Sequence, residues 1–278
     1  MIASLARDRT APLLVPAVVL ILAVFAYPVF WLLVRSFSDP SWGLQNYETV
    51  FVKTIYLKVI WNTVAIAGAT TIGALLLGYP MAYSMVHSPP LIRNLLIFVV
   101  LIPFWTSILV RTFAWMVLLQ SNGILNDMLL GIGLIESPVK FMFNRTGVLI
   151  GMIQIMLPFM VFPLFSVMSR IDHAYVQAAA NLGARPIKSF FRVYLPLSMP
   201  GVITGSMLVF IISLGYFITP ALLGGRKDVM IAQLIQQQIS DFGNWALSSA
   251  LAVILLVGTG LIFAIVHKVF KVGPDARF

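Results

Sequence analysis

The sequence contains no cysteine, which removes disulfide frameworks, thiolate metal sites and cysteine nucleophiles together and leaves the redox compartment undetermined. Charge is nearly as scarce: 10% of the residues are Asp, Glu, Lys or Arg, where soluble domains carry about a quarter. Acids are the rarer sign, nine against 18 Lys and Arg. The three histidines, His87, His173 and His267, stand far apart, and no His–Glu cluster has metal-ligand spacing, so no acid–base or metal constellation is visible. A phosphate-cradling loop is missing too. Its nearest approximation, Gly73 to Gly78, continues into Tyr79 and Pro80 within an apolar run instead of Lys and Ser or Thr. This chain therefore does not hydrolyse ATP itself, and energy for any work it does must come from a partner or a gradient.

What fills the sequence is apolar: 60% of the residues, with a mean hydropathy of +0.99. A soluble domain does not have this composition; an integral membrane protein does. The net charge of +9 is dispersed between apolar runs instead of gathered on one strip, which argues against nucleic-acid binding. About 20 apolar residues cross a bilayer as a helix. Six runs reach that length: Leu13–Val34, Asn62–Val86, Leu95–Leu119, Gly147–Met168, Val202–Leu223 and Trp245–Val266. The first follows Arg7 and Arg9, as in a signal peptide, but is longer than the roughly 7 to 15 apolar residues of one, so it is expected to stay as a span.

Cytoplasmic flanks are enriched in Lys and Arg. With the N-terminus inside, the inner segments hold Arg7, Arg9, Arg93, Arg170, Arg185, Lys188, Arg192, Lys268, Lys271 and Arg277. The longer outer segments hold Arg35, Lys53, Lys58, Lys140, Arg145, Arg226 and Lys227. Both termini are therefore expected in the cytoplasm, and so is the stretch 171–201 between the fourth and fifth spans.

That stretch combines cationic charge with helix punctuation. Asp172 is placed to cap a helix from His173 to Leu182, and Gly183 to stop it in a left-handed turn. Arg185 and Pro186 then open a second helix, on which Ile187, Phe190, Phe191 and Tyr194 share one face, opposite Lys188 and Arg192. Ala178, Ala179, Ala180 and Gly183 leave the first helix a thin surface that another protein's backbone can approach. Helix spacing alone allows two readings: a docking surface, or an amphipathic linker lying on the bilayer.

Gln177, Ala178, Ala179, Gly183, Val193, Leu195 and Pro196 match the spacing EAA, three residues, G, nine residues, I-x-LP. This resembles the EAA loop of binding-protein-dependent ABC importer permeases. The segments LGARP, PLSMPG, TPALLGG and PFWTSILVRTFAW are similar to the spermidine/putrescine branch of that family. The resemblance covers roughly Pro28 to Phe270. It implies an all-α integral membrane protein: one MetI-like type I importer transmembrane domain over residues 1–278, with six spans, in the bacterial inner membrane. It further implies that the loop is a coupling helix seated in an ATPase cleft. The implied partners are a second permease subunit, two ATPase subunits that bind ATP and Mg, and a solute-binding protein. No cofactor is implied in this chain. One departure from the pattern matters: Gln177 stands where the family usually has Glu, which replaces an ionic contact by hydrogen bonding.

For the solute pathway the sequence offers Trp105, Gln154, Tyr216 and Thr219, amphipathic or polar residues inside apolar runs, together with Arg111. Aromatic rings attract an organic cation by about 0.5–2 kcal/mol; the alternative is that Trp105 and Tyr216 are packing or interfacial aromatics. Arg111 is the one formal charge deep in a run. A charge at the bilayer centre costs about 2.5–3.5 kcal/mol, so either it faces the bundle or the third span ends near Val110 and the side chain snorkels. No acid lies within a span, so tight capture of a polyamine there is not expected, and another amine or amino-acid-like solute stays open. A gradient-driven carrier, the competing class, normally shows intramembrane acids or paired broken repeats. Pro80, Pro103, Pro158, Pro163 and Pro220 predict kinks, and Gly147 with Gly151 and Gly201 with Gly205 predict close helix contacts. The loops Ser38–Lys58 and Gln120–Arg145 are candidate seats for a binding protein.

Overall fold

Prolines and glycines decide where the apolar runs become separate helices. The computed structural model describes residues 11–270, and every regular element among them is helical. Arg7, Asp8, Arg9, Lys271, Asp275 and Arg277, which entered the charge reading, lie outside the described residues. In chain order the helices are α1 (Ala11–Ile21), α2 (Tyr27–Ser38), α3 (Gln45–Val52), α4 (Thr54–His87), α5 (Pro90–Trp105), α6 (Ile108–Leu119), α7 (Ile124–Gly131), α8 (Arg145–Met168), α9 (His173–Asn181), α10 (Pro186–Ser189), α11 (Leu195–Leu214), α12 (Ile218–Leu223), α13 (Ile231–Ser240) and α14 (Trp245–Phe270). Two π-helical turns, Leu22–Ala26 and Phe190–Tyr194, join α1 to α2 and α10 to α11. Among the described residues six helical stretches are long and apolar enough to cross a bilayer.

Each π turn stands two residues before a proline, Pro28 or Pro196. Proline lacks the N–H of the ordinary helical bond, and its ring crowds the carbonyl four residues back. The wider turn, in which Tyr27 N–H reaches the Leu22 carbonyl and Leu195 N–H reaches that of Phe190, takes up the strain without ending the helix.

Three sequence expectations are corrected here. The run Leu95–Leu119 is not one helix: Thr106 (φ −94°, ψ 138°) and Ser107 (φ −56°, ψ 139°) are extended and divide it into α5 and α6. The two halves still run antiparallel to α8, because the Phe104 ring meets that of Phe159 at a tilt, 5.3 Å between centroids, while Trp115, further on, bonds Gln154. The fifth span does not run over 202–223. Its helix is continuous from Pro186 to Leu214, and it stops at Gly215, ahead of Pro220, whose ring clashes with helical continuation through residue 216. Finally, Ile187, Phe190, Phe191 and Tyr194 do not share one buried face. Tyr194 is buried, whereas Ile187 and Phe191 are 74% and 59% exposed, since the packed face is centred on Ser189, Phe190, Val193 and Tyr194.

Residues 11–57 with 235–257, and residues 58–234 with 258–270, form two separate packing units. In the first, Asn46 donates to the carbonyls of Ser36 and Asp39 (3.1 and 2.8 Å), and Arg35 pairs with Asp39 at 3.1 Å while lying over the Trp245 ring. Residues 15–35 include no buried residue, so most of their side chains are left for lipid or a neighbouring protein.

The second unit is built on α8 against α11. Met156, Met160, Val161, Leu164 and Met168 of α8 form its core with Ala74, Ala82 and Met85 of α4 and Val209 of α11. Gly201 and Gly205 make this contact possible, because a Cβ on Gly205 would sit 2.9 Å from Met160 Sδ and 3.1 Å from its carbonyl oxygen. Gly151 does the same for α12, whose Thr219 and Leu223 side chains lie 2.8 Å from the position its Cβ would take.

Candidate coupling and pathway sites

The helix α9 begins and ends as its sequence dictates. Asp172 accepts a hydrogen bond from Ala174 N–H at 2.9 Å, which satisfies one of the free donors of the first turn. At the other end Gly183 takes φ +81°, its N–H bonds the Ala180 carbonyl, and the Ala184 N–H bonds that of Ala179. This double bond is the Schellman termination, which glycine adopts without steric cost.

Gln177 and Ala178 are exposed and Ala179 is half-buried. Gly183 is exposed, with nothing within 4 Å of the place a side chain would occupy. Leu182, Tyr175, Ile187 and Phe191 surround this surface at 89%, 58%, 74% and 59% exposure. Apolar side chains left open on and after this helix make a surface for lipid or for another protein. Val193 and Leu195 are half-buried and Pro196 is exposed; they lie in or just after the π turn, one step removed from the α9 surface.

Behind α9 the fold assembles an aromatic junction that the sequence reading missed. Tyr83 stacks on His87 at 4.1 Å and meets Tyr194 edge-on at 5.2 Å, and His87 meets His173, the first residue of α9, at 5.5 Å. One turn further into α4, the Tyr79 hydroxyl bonds Ser198 at 2.8 Å. The spacing Tyr79, Tyr83, His87, four residues apart on one helix face, was the available signal.

The second site is a cavity of about 180 Å³ between α5–α6, α8 and the end of α11, walled by Phe104, Ile108, Met156, Phe159, Ile212 and Tyr216 and carrying Arg111 as its one charged side chain. Arg111 lies in the first turn of α6, which continues to Leu119. The break at Thr106–Ser107 frees backbone carbonyls, and Arg111 Nη2 donates to that of Thr106 at 3.1 Å. The guanidinium thus answers a polar group which the kink exposes. Its Nε is buried without a hydrogen-bond partner among the described residues, and the buried Tyr216 hydroxyl faces the Thr219 side chain.

Gln154 lies just beyond, its Oε1 accepting from Trp115 Nε1 at 3.3 Å. Trp115 was also missed, although it stands four residues after Arg111 and so on the same helix face. Thr219 is fully buried on α12 and packs towards Gly151. Trp105 is not brought to this cavity: it ends α5 at 74% exposure. The structure therefore gathers Arg111 and Tyr216, sets Gln154 and Thr219 on neighbouring turns, and leaves Trp105 outside.

Residues 74–271 match the family described as binding-protein-dependent transport system inner membrane component. The chain is 37% identical, over 228 residues, to the spermidine/putrescine transport system permease protein PotB of Haemophilus influenzae, covering 82% of this chain and 79% of that one. To PotB of Escherichia coli it is 35% identical over 230 residues, 83% of each chain. In fold it is similar to a bacterial alginate ABC transporter solved in complex with an alginate pentasaccharide-bound periplasmic protein. There the TM-score is 0.74 at 20% identity, over 96% of this chain and 95% of that one.

Proposed function

Because the chain belongs to the family of binding-protein-dependent transport system inner membrane components, we propose that it is the permease subunit of an ATP-driven importer that takes a polyamine such as spermidine or putrescine across the bacterial inner membrane. The identity to PotB over four-fifths of the chain carries this reading. In it the chain is a transport subunit without catalysis of its own, with both termini in the cytoplasm. A second permease subunit completes the pathway, two ATPase subunits bind ATP and Mg, and a solute-binding protein delivers the solute. The exposed α9 surface and the uninterrupted helix from Pro186 to Leu214 support the coupling role. A push on α9 passes through the Gly183 turn into a single rigid lever that packs on α8, so closure of the ATPases opens the pathway outward and hydrolysis resets it.

Arg111 and Tyr216 line that pathway in this reading. No carboxylate lines their cavity. A polyamine therefore finds no ionic trap there and passes weakly held, which leaves selection to the binding protein. Uptake of radiolabelled spermidine and putrescine into cells lacking their own polyamine importers, with this chain expressed beside its partners, tests the reading. Uptake dependent on ATP and on the binding protein is expected. Failure of the chain to co-purify with any ATP-hydrolysing subunit would overturn it.

A further inference from the structure

Behind the coupling helix lies a second cavity, of about 220 Å³, lined by Tyr83, His87, His173, Ser189, Phe190 and Tyr194 among others. Two of these are buried hydroxyls, Ser189 and Tyr194, each 4% exposed, and neither has a hydrogen-bond partner among the described residues. A buried polar atom left unpaired costs about 1–3 kcal/mol, so such a pair at one cavity points to a missing partner.

The chemistry of the walls narrows what that partner is. His87 Nδ1 lies 2.8 Å from the Tyr83 carbonyl oxygen, which only accepts, so Nδ1 is the donor there and Nε2 is the acceptor of that tautomer. No Lys, Arg, Asp or Glu lines the cavity. An anion would face ring π-electrons with no cation to hold it, and an apolar guest would leave both hydroxyls unpaired. An ammonium group satisfies the whole set: its N–H groups donate to the two hydroxyls and Nε2, and the faces of Tyr83, Phe190 and Tyr194 attract its charge.

We propose that this cavity is a binding site for a primary alkylammonium group, distinct from the pathway around Arg111. Its walls come from the end of α4, from α9 and from the π turn, so an occupant ties the coupling helix to the membrane helices. The group has two sources, a soluble amine or the headgroup of phosphatidylethanolamine.

Saturation-transfer NMR with ethylammonium, on the full chain in nanodiscs of phosphatidylcholine and phosphatidylglycerol, tests the site. Ethylammonium is expected to bind at least about fivefold more tightly than ethanol, its nearly isosteric neutral analogue. Tyr194→Phe, which keeps the ring and removes one acceptor, is expected to weaken binding about tenfold. Ala180→Leu, which fills the cavity from α9, is expected to abolish it. Equal binding of ethanol and ethylammonium, or ethylammonium binding unchanged in both variants, overturns the proposal. Adding phosphatidylethanolamine to the nanodiscs separates the sources: displacement of ethylammonium assigns the site to the lipid headgroup, and unchanged binding assigns it to a soluble amine.

Discussion

Gly205 and Gly183 are both indispensable as glycines, for opposite reasons. Gly205 lies in ordinary helix and has no room: the backbone of Met160 stands where a side chain would go. Gly183 has open space on every side and lacks freedom of another kind, because the turn that ends α9 holds it at φ +81°. The first glycine serves the packing of the membrane core and the second the shape of an exposed surface. Substitutions at the two should therefore separate stability from coupling.

The largest effect is expected from Gly205→Leu. Neither Met160 Cα nor its carbonyl can yield, so α11 must move off α8, at an overpacking cost of about 1–3 kcal/mol or more. Thermal unfolding in detergent should show a marked loss of Tm and of folded yield. A Tm like that of the unmodified chain would mean that the α8–α11 contact is looser than described. Gly183→Val should do the reverse. A β-branched residue in the left-handed region costs about 1–2 kcal/mol, but the strain falls on a turn that supports no core. Tm should change little, while ATP-driven uptake in proteoliposomes falls at least about tenfold and ATP hydrolysis persists. Unchanged uptake would remove α9 from the coupling path.

How much of this was legible in the sequence follows the same division. Asp172, Gly183 and Pro186 punctuate the loop by local rules, and the structure places the cap, the left-handed stop and the helix start at those residues. The glycine pairs were equally readable, since removing side chains at four-residue spacing can only bring helices together. What the pattern does not carry is which neighbour covers a face. Ile187 and Phe191 have the same spacing and oiliness as Phe190 and Tyr194, yet they stay open, because the α4 aromatics that cover Tyr194 come from a residue more than a hundred positions away. The split of the third run was hidden for a related reason. Hydropathy averages over Thr106 and Ser107, and only their extended backbone reveals the break.

Arg111 tests whether a buried site behaves like the core or like the surface. Arg111→Met removes a charge from an apolar cavity, which is favourable, and gives up the bond to the exposed Thr106 carbonyl, which contributes about 0.5–1.5 kcal/mol. These terms offset each other, so Tm should shift by only a few degrees. Uptake is expected to fall about tenfold because the kink and the charge on the pathway wall are both lost. A large loss of Tm with residual uptake intact would make Arg111 a structural pin alone.

The smallest effect is expected at Gln177, where the loop carries an amide in place of its family's usual carboxylate. Gln177→Glu places a carboxylate on an exposed helix surface, where an ion pair contributes about 0–1 kcal/mol and is screened by salt. If the ATPase retains the basic residue that a Glu would meet, affinity between the subunits should rise up to about fivefold at low ionic strength, and the gain should vanish near 0.5 M salt. A gain that survives high salt would show a buried contact instead of a surface pair. A loss of affinity would show that the partner surface has changed together with Gln177 and now presents an acceptor or acid to the amide N–H groups. Either departure would be read against Gly183→Val, whose effect depends on backbone shape and should not respond to salt at all.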